Sequence, residues 1–476
     1  MGTLGPRGVG GSGGVARALC LRWCVSFVNE RERSRDLGRV VRGLGFSFWA
    51  FGCGLLLSFL LCSYVGLARF LCYLAFAELV FVLINAFRFS MLDRVRNPPS
   101  QDDAKLSFDR FIKSVSKLDR SYVTTCTEDW FFGRPCEDLQ RGDFDDLMSY
   151  GFLDDCRSEG HAREAAETMT GELMRVMGLS LQPGRTRPAA RFRAHLAEKL
   201  RAYHYPLVFY IVSETLGIIS HVMLLCMGFA KSSCRGSAYF LHKPSKLDSP
   251  ASQRPIVFLH GVGVGILPYM SFIRRILALG HPVLLVENRH VCMRLSFPHV
   301  SVDDCVDTLK TILDGHHLTN CMVMSHSYGT FVASRLLRLY PTFIDSMCFI
   351  DPVCCAMHNP KLLKNFVYRR MEWGGLRAII ESLVMLCVSR EPSISASVSR
   401  GFQWTALNLW PELLPQRSVI VLSENDDLVP IGDVKTLFAN TGATILSHPQ
   451  HQHGSFVVDG NWQDTILRQV ARVLRG

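Results

Sequence analysis

The sequence predicts an α/β fold for its second half, a mostly parallel, doubly wound sheet, preceded by a long apolar region that reads as a membrane insert. Three observations carry this. From about Gly236 onward, short apolar runs ("PIVFLHG", "PVLLVENRH", "CMVMSHS", "SMCFIDPV" and "SVIVLSEN") alternate with helical segments, the rhythm of parallel strands covered on both faces. The stretch from Leu44 to Phe87 contains only two charges, Arg69 and Glu78. In "CMVMSHSYGTFVAS", Cys321 to Ser334, a buried strand, a serine among small residues and a helical pattern follow one another directly.

Length and composition frame these elements. A chain of 476 residues with 48% hydrophobic and 10% aromatic content can bury a sizeable core and is not generally disordered. The net charge of +10 does not point to nucleic acid, because eight arginines (7, 17, 22, 31, 33, 35, 39 and 42) stand before residue 50 and no nucleic-acid motif accompanies them. They read as membrane-flanking charge. The 17 cysteines form no C-x-x-C pair and no zinc-spaced Cys/His array, and Cys53, Cys62 and Cys72 fall in apolar segments. Reduced thiols in a cytosol-facing protein are expected.

In chain order, residues 1–43 form a basic tail with no acid before Glu30, which also resembles an organellar transit peptide. Residues 44–90 are expected to form a transmembrane helical hairpin, Gly45 to Val65 and Phe70 to Phe87, divided at "GLAR". Each span has the ~20 residues that a ~30 Å hydrocarbon layer requires. Arginines before the first span and after the second (Arg88, Arg94, Arg96) place both ends in the cytoplasm. Residues 95–203 are polar and helix-prone. Within them Trp130, Phe131 and Phe132 read as a hydrophobic anchor. Tyr205 to Phe229 is long enough to span but carries Glu214 and His221 near its middle, and a charge at bilayer centre costs a few kcal/mol or more. An interfacial helix, or one packed on the catalytic domain, is favoured over a span.

The chemistry converges on Ser327. A serine on a tight strand-to-helix turn is held in a strained conformation that lifts its hydroxyl above the sheet and requires small neighbours. Here Ser325 and Gly329 flank it, so S-x-S-x-G replaces the usual G-x-S-x-G. A serine hydroxyl needs a base and an acid to become a nucleophile. Asp426 in "ENDDLVP" is the preferred acid over Asp427, with Asp351 in "CFIDP" the rival. His453 is the preferred base among His448, His451 and His453, and a metal role for His451 and His453 lacks a third ligand. The backbone N–H groups of Val262 and Tyr328 are the expected oxyanion donors. His260, Gly261 and Gly263 in "FLHGVGVG" are the expected substrate-side residues. The same glycines do not make a phosphate or dinucleotide site, since no Lys-Ser/Thr and no ribose-binding acid follow. His326 and His358 read as structural, and His299 with Asp304 as a chance pair.

From about residue 254 to the end, "HGVGVGILPY", "SHSYG", "FIDPV" and "NFVYRR" together resemble the α/β-hydrolase superfamily, and within it an uncharacterised membrane-associated subgroup of fungi and protists. The resemblance implies a serine hydrolase or acyltransferase with no cofactor. Two departures stand out: Ser325 replaces the first elbow glycine, and "VENRHVCMRLS" lacks the R-G-x-G-x-S often found after the fourth strand. Val353 to Arg417 is expected to be a helical lid insertion within a catalytic domain of residues 236–476. The expected function is a membrane-anchored, lipase- or esterase-like hydrolysis of lipophilic acyl esters, with the lipid bilayer and a lipophilic ester as partners. A non-catalytic lipid- or protein-binding member of the same fold and an acyltransferase are the alternatives, because fold does not specify substrate.

Overall fold

The computed structural model describes residues 65–94, 104–153, 161–244, 254–297, 299–371, 373–400 and 402–475. The basic tail and the first apolar span up to residue 64 lie outside these. The chain forms two units, Met1–Val80 and Phe81–Gly476. One sequence expectation is corrected at once. A helix runs from Val65 to Arg94 and takes in Gly66 to Arg69, so "GLAR" is not the turn of a hairpin. Leu, Ala and Arg are strong helix formers, and one glycine costs only about 1 kcal/mol, too little to stop a helix without a proline or a cap.

The second unit is organised by one eight-stranded sheet: β1 (Ala230–Cys234), β2 (Ser237–His242), β3 (Ile256–Leu259), β4 (Val283–Glu287), β5 (Cys321–His326), β6 (Ile344–Ile350), β7 (Ser418–Ser423) and β8 (Thr444–His448). Their order is β1-β2-β4-β3-β5-β6-β7-β8. Pairing is antiparallel between β1 and β2 and between β2 and β4, and parallel everywhere else. This is a mostly parallel α/β sheet consistent with an α/β-hydrolase. The strands are apolar on both faces, as buried parallel strands must be. Val257, Leu259, Val323 and Phe349 point to one core, which the helices Val302–Gly315 and Gly329–Leu339 cover. Ile256, Phe258, Met324 and Ile350 point to the other, under Met270–Leu277 and Gly460–Arg475. The edge hairpin of β1 and β2, turned by Arg235 and Gly236 at positive φ, begins before the expected change of rhythm. "AKSSC" is polar and exposed at the edge, so it carries no strand signal of its own.

The register brings the working ends together. Leu259 pairs with Ser325, Ser325 with Phe349, Ile350 with Val421, and Ser423 with His448. The residues that follow β3, β5, β6, β7 and β8 therefore emerge along one carboxyl edge, where open α/β sheets bind ligands. Between β6 and β7 the chain forms the helices Leu376–Ser389, Pro392–Ser399 and Trp404–Leu407. Before the sheet, four helices (Ala104–Val115, Arg120–Trp130, Arg141–Phe152 and His161–Met177) enclose an aromatic core of Phe108, Phe111, Phe144 and Phe152. Phe131 is buried in that core, Trp130 packs on it and donates Nε1–H to the His358 carbonyl at 2.7 Å, and Phe132 stays 41% exposed.

Candidate active site

Ser327 follows β5 directly and sits at φ 51°, a left-handed conformation that costs a non-glycine residue of order 1 kcal/mol or more. The turn is enforced by packing. A Cβ on Gly329 would lie 2.3 Å from the Leu259 carbonyl oxygen, so only glycine lets the following helix approach β3 this closely. Ser325, two residues before the nucleophile position, is fully buried and its Oγ has no hydrogen-bond partner among the described residues. That position tolerates the Cβ that the departure from glycine introduced.

His453 Nε2 lies 2.8 Å from Ser327 Oγ, and His453 Nδ1 lies 2.7 Å from Asp426 Oδ2. The other Asp426 oxygen accepts the Leu428 and Val429 N–H groups at 2.7 and 2.9 Å. Burial by itself lowers the His453 pKa, but the Asp426 carboxylate outweighs it, and the imidazole is pushed up to about 9. Asp427 turns away and pairs with Arg369 at 2.9 Å. Lys361 Nζ donates to the Asp426 and Val429 carbonyls at 2.8 and 3.0 Å, so the segment after β6 grips the turn that carries the acid.

Asp351 does not reach His453 by hydrogen bond. Its Oδ1 accepts from Ser423 Oγ and its Oδ2 from the Gly454 N–H, both at 2.8 Å. It holds the backbone immediately after the base, with its pKa kept below the usual carboxylate value because the His326 and His453 interactions overcome burial. Tyr269 was not legible in the sequence. Its hydroxyl accepts the Gly261 N–H at 3.0 Å and lies 2.7 Å from His326 Nδ1. His326, buried and lowered in pKa by that burial, lies 3.7 Å from Asp351 through Nε2. A tyrosine in "ILPYM" gives no local signal, since the partners it joins are 8 and 57 residues away.

The expected substrate-side residues are all engaged in the loop after β3. His260 is buried, donates Nδ1–H to the Gly261 carbonyl at 2.7 Å and accepts the Asn288 N–H on Nε2 at 3.0 Å. Both ring nitrogens are occupied, and burial lowers its pKa, so it ties the loop after β3 to the end of β4. Gly261 has its N–H on Tyr269, and a Cβ there would lie 2.8 Å from the Ser327 Cβ. Gly263 is at φ 142° with its N–H on the Val291 carbonyl at 3.0 Å. That leaves the Val262 and Tyr328 N–H groups, neither with a hydrogen-bond partner among the described residues. Tyr328 caps the helix Gly329–Leu339, so its amide is one of the free donors of a helix start. Asp304 serves as the capping partner of Ser301, in keeping with no joint role for His299 and Asp304. His448, His451 and Asp459 place ligating atoms within 4.8 Å of one another, with His451 Nε2 at 3.1 Å from Asp459. His451 thus meets a third residue that H-x-H spacing did not reveal.

No family model matches the chain, and no curated protein matches it. Among solved structures, it is similar to a carboxylesterase of the thaumarchaeon Nitrososphaera gargenis (16% identity, TM-score 0.38, covering 52% of this chain and 99% of that one). It is also similar to a bacterial membrane phospholipase A described as a virulence factor (12%, TM-score 0.37, 56% and 94%). A third is the esterase RhEst1 of a Rhodococcus species (15%, TM-score 0.37, 52% and 99%). None of these three reaches a TM-score of 0.5.

Proposed function

We propose that the chain is a membrane-anchored serine hydrolase that cleaves lipophilic acyl esters through a covalent acyl-enzyme. The observation that carries this reading is the continuous relay Ser327–His453–Asp426, at 2.8 and 2.7 Å, on a strained strand-to-helix turn. Ser327 Oγ attacks the ester carbonyl carbon while His453 Nε2 takes the hydroxyl proton, and Asp426 stabilises the imidazolium that forms. The Val262 and Tyr328 amides are placed to receive the developing oxyanion. Collapse breaks the bond to the leaving alkoxide, which takes the proton from His453. Water, deprotonated by His453, then releases the acid. An alcohol acceptor in place of water would make the same acyl-enzyme a transferase. Two helices long and apolar enough to cross a membrane, at Arg69–Arg94 and Leu207–Cys226, support the anchoring. The positive flanks favour a cytosolic catalytic domain, and the twelve described cysteines are free thiols.

A fluorophosphonate probe tests the reading on the full-length protein in detergent. Wild type is expected to be labelled, and Ser327→Ala and His453→Ala to lose labelling at least a hundredfold. His451→Ala should retain most of it. Absence of labelling on folded wild type would favour a non-catalytic binding protein, and labelling that survives Ser327→Ala would move the nucleophile to another residue.

A further inference from the structure

The helix Leu207–Cys226 separates its residues by face. Glu214 and His221, which argue against a membrane span, both turn toward the sheet. Glu214 pairs with Arg289 and, at 2.8 Å, with Arg294. His221 Nε2 lies 3.0 Å from Glu287, which also meets Arg294 at 2.9 Å. A Cβ on Gly217 would lie 2.8 Å from the Arg294 guanidinium, so this glycine makes room for the arginine to cross the helix. The opposite face presents Ile211, Ile218 and Val222, each more than half exposed. Its exposed Thr215 satisfies its own hydroxyl on the Ile211 carbonyl at 2.7 Å. No Asp, Glu, Lys, Arg or His remains on that face.

Two further helices also carry an exposed apolar row and are tied to the first through one buried arginine. Arg88 is 1% exposed and reaches Glu391 at 2.9 Å, the Tyr210 hydroxyl at 3.1 Å and the Ser296 carbonyl at 3.0 Å. Around it, Leu83, Phe87 and Met91 lie outward at i, i+4 and i+8. Just before Glu391, the helix Leu376–Ser389 in the lid region exposes Leu376, Ile380 and Leu383. Its Tyr205 contact, a hydroxyl donating to the Leu386 carbonyl at 3.2 Å, joins it to the start of the Leu207 helix. A water-facing surface gains nothing from three adjoining apolar rows.

We infer that these three helices form one lipid-facing platform that seats the catalytic unit on a bilayer, with Leu207–Cys226 lying in the interface plane rather than crossing it. Lipid is the occupant because the apolar sequence from Leu44 to Phe87 runs directly into the platform through Phe81–Arg94. On Leu207–Cys226, turning Glu214 and His221 onto partners at the packed face and leaving aliphatic side chains on the other is what a hydrocarbon contact requires. On the lid helix, the exposed Glu381 stands beside the apolar row, which sets a shallow depth at the headgroups. Resting on the hydrolase reading, the substrate class becomes an ester resident in the membrane, met by a lid helix that already touches lipid.

Photocrosslinking on the full-length protein in phosphatidylcholine vesicles tests the platform. Benzoylphenylalanine at Ile218 and at Leu383 is expected to capture phospholipid at least tenfold more than the same probe at Arg468, an exposed position on the last helix. Yields equal to that at Arg468, or capture of a second protein copy instead of lipid, would overturn the inference. Lipid capture at Ile218 without Leu383 would remove the lid helix from the platform and with it the membrane-resident substrate. The crosslinks do not involve Ser327, so a failed hydrolase reading leaves their outcome unchanged, and a failed platform leaves fluorophosphonate labelling unchanged.

Discussion

At the scale of single residues, the relay predicts its own pH dependence. With its pKa pushed up to about 9, free His453 is mostly protonated at pH 7 and must lose that proton to act as base. Ester cleavage, read as kcat/KM, is therefore expected to rise about tenfold per pH unit below the inflection and to level off near pH 9. Asp426→Asn removes the carboxylate responsible, so the inflection should move toward lower pH while the plateau falls by at least a hundredfold. An inflection that stays put would mean that another charge, Asp351 foremost, sets the histidine. The same shift has a stability sign. A histidine raised in the folded state stabilises it fully below the unfolded pKa near 6.5, and that contribution is lost as pH rises through about 9. Activity and stability consequently pull in opposite directions across the alkaline range, a trade that chemical denaturation at pH 6 and pH 9.5 can measure.

At the scale of elements, the helices are joined by paired charges rather than by apolar contact alone. Arg88 and Glu391 are both essentially unexposed, and Glu391 also caps the helix Pro392–Ser399 through the Ile394 N–H at 3.0 Å. Removing one partner of such a pair leaves an uncompensated buried charge and costs ~3–5 kcal/mol. Arg88→Leu is thus expected to lower the thermal unfolding midpoint of the detergent-solubilised protein by several degrees. Adding Glu391→Gln, which keeps the cap and removes the stranded charge, should recover part of that loss. A double variant less stable than the sum of its parts would show that the pair is not what joins these helices. The segment from Lys361 to Arg369 works similarly on the acid turn, through the Asp426, Asp427 and Val429 contacts. It ties the segment after β6 to the turn that holds Asp426.

At the scale of the whole molecule, an in-plane Leu207–Cys226 leaves both chain ends on one side of the membrane if the first two apolar segments insert as a pair. Protease added to sealed, outward-facing vesicles is expected to remove a tag from residue 1 and a tag from residue 476 alike. Protection of one tag alone would make the third apolar helix a span. Much of this architecture was legible in the sequence, because its signals are local. Both-face apolar runs mark parallel strands, and a strand, a small-flanked serine and a helix mark the elbow. Ser327, Asp426 and His453 fall in order at three strand ends, which the parallel sheet then aligns along one edge. What sequence could not carry was decided by contacts between residues far apart. His260 has both ring nitrogens on backbone groups, Asp351 holds the Gly454 N–H, and Tyr269 acquires its place only through Gly261 and His326. Glu214 and His221 count as costly charges along a linear apolar run, yet the fold turns them onto Arg289, Arg294 and Glu287. Periodicity and residue type are properties of neighbours in the chain, whereas the partner that satisfies a buried polar group is chosen by the packing of elements that can lie 126 residues apart.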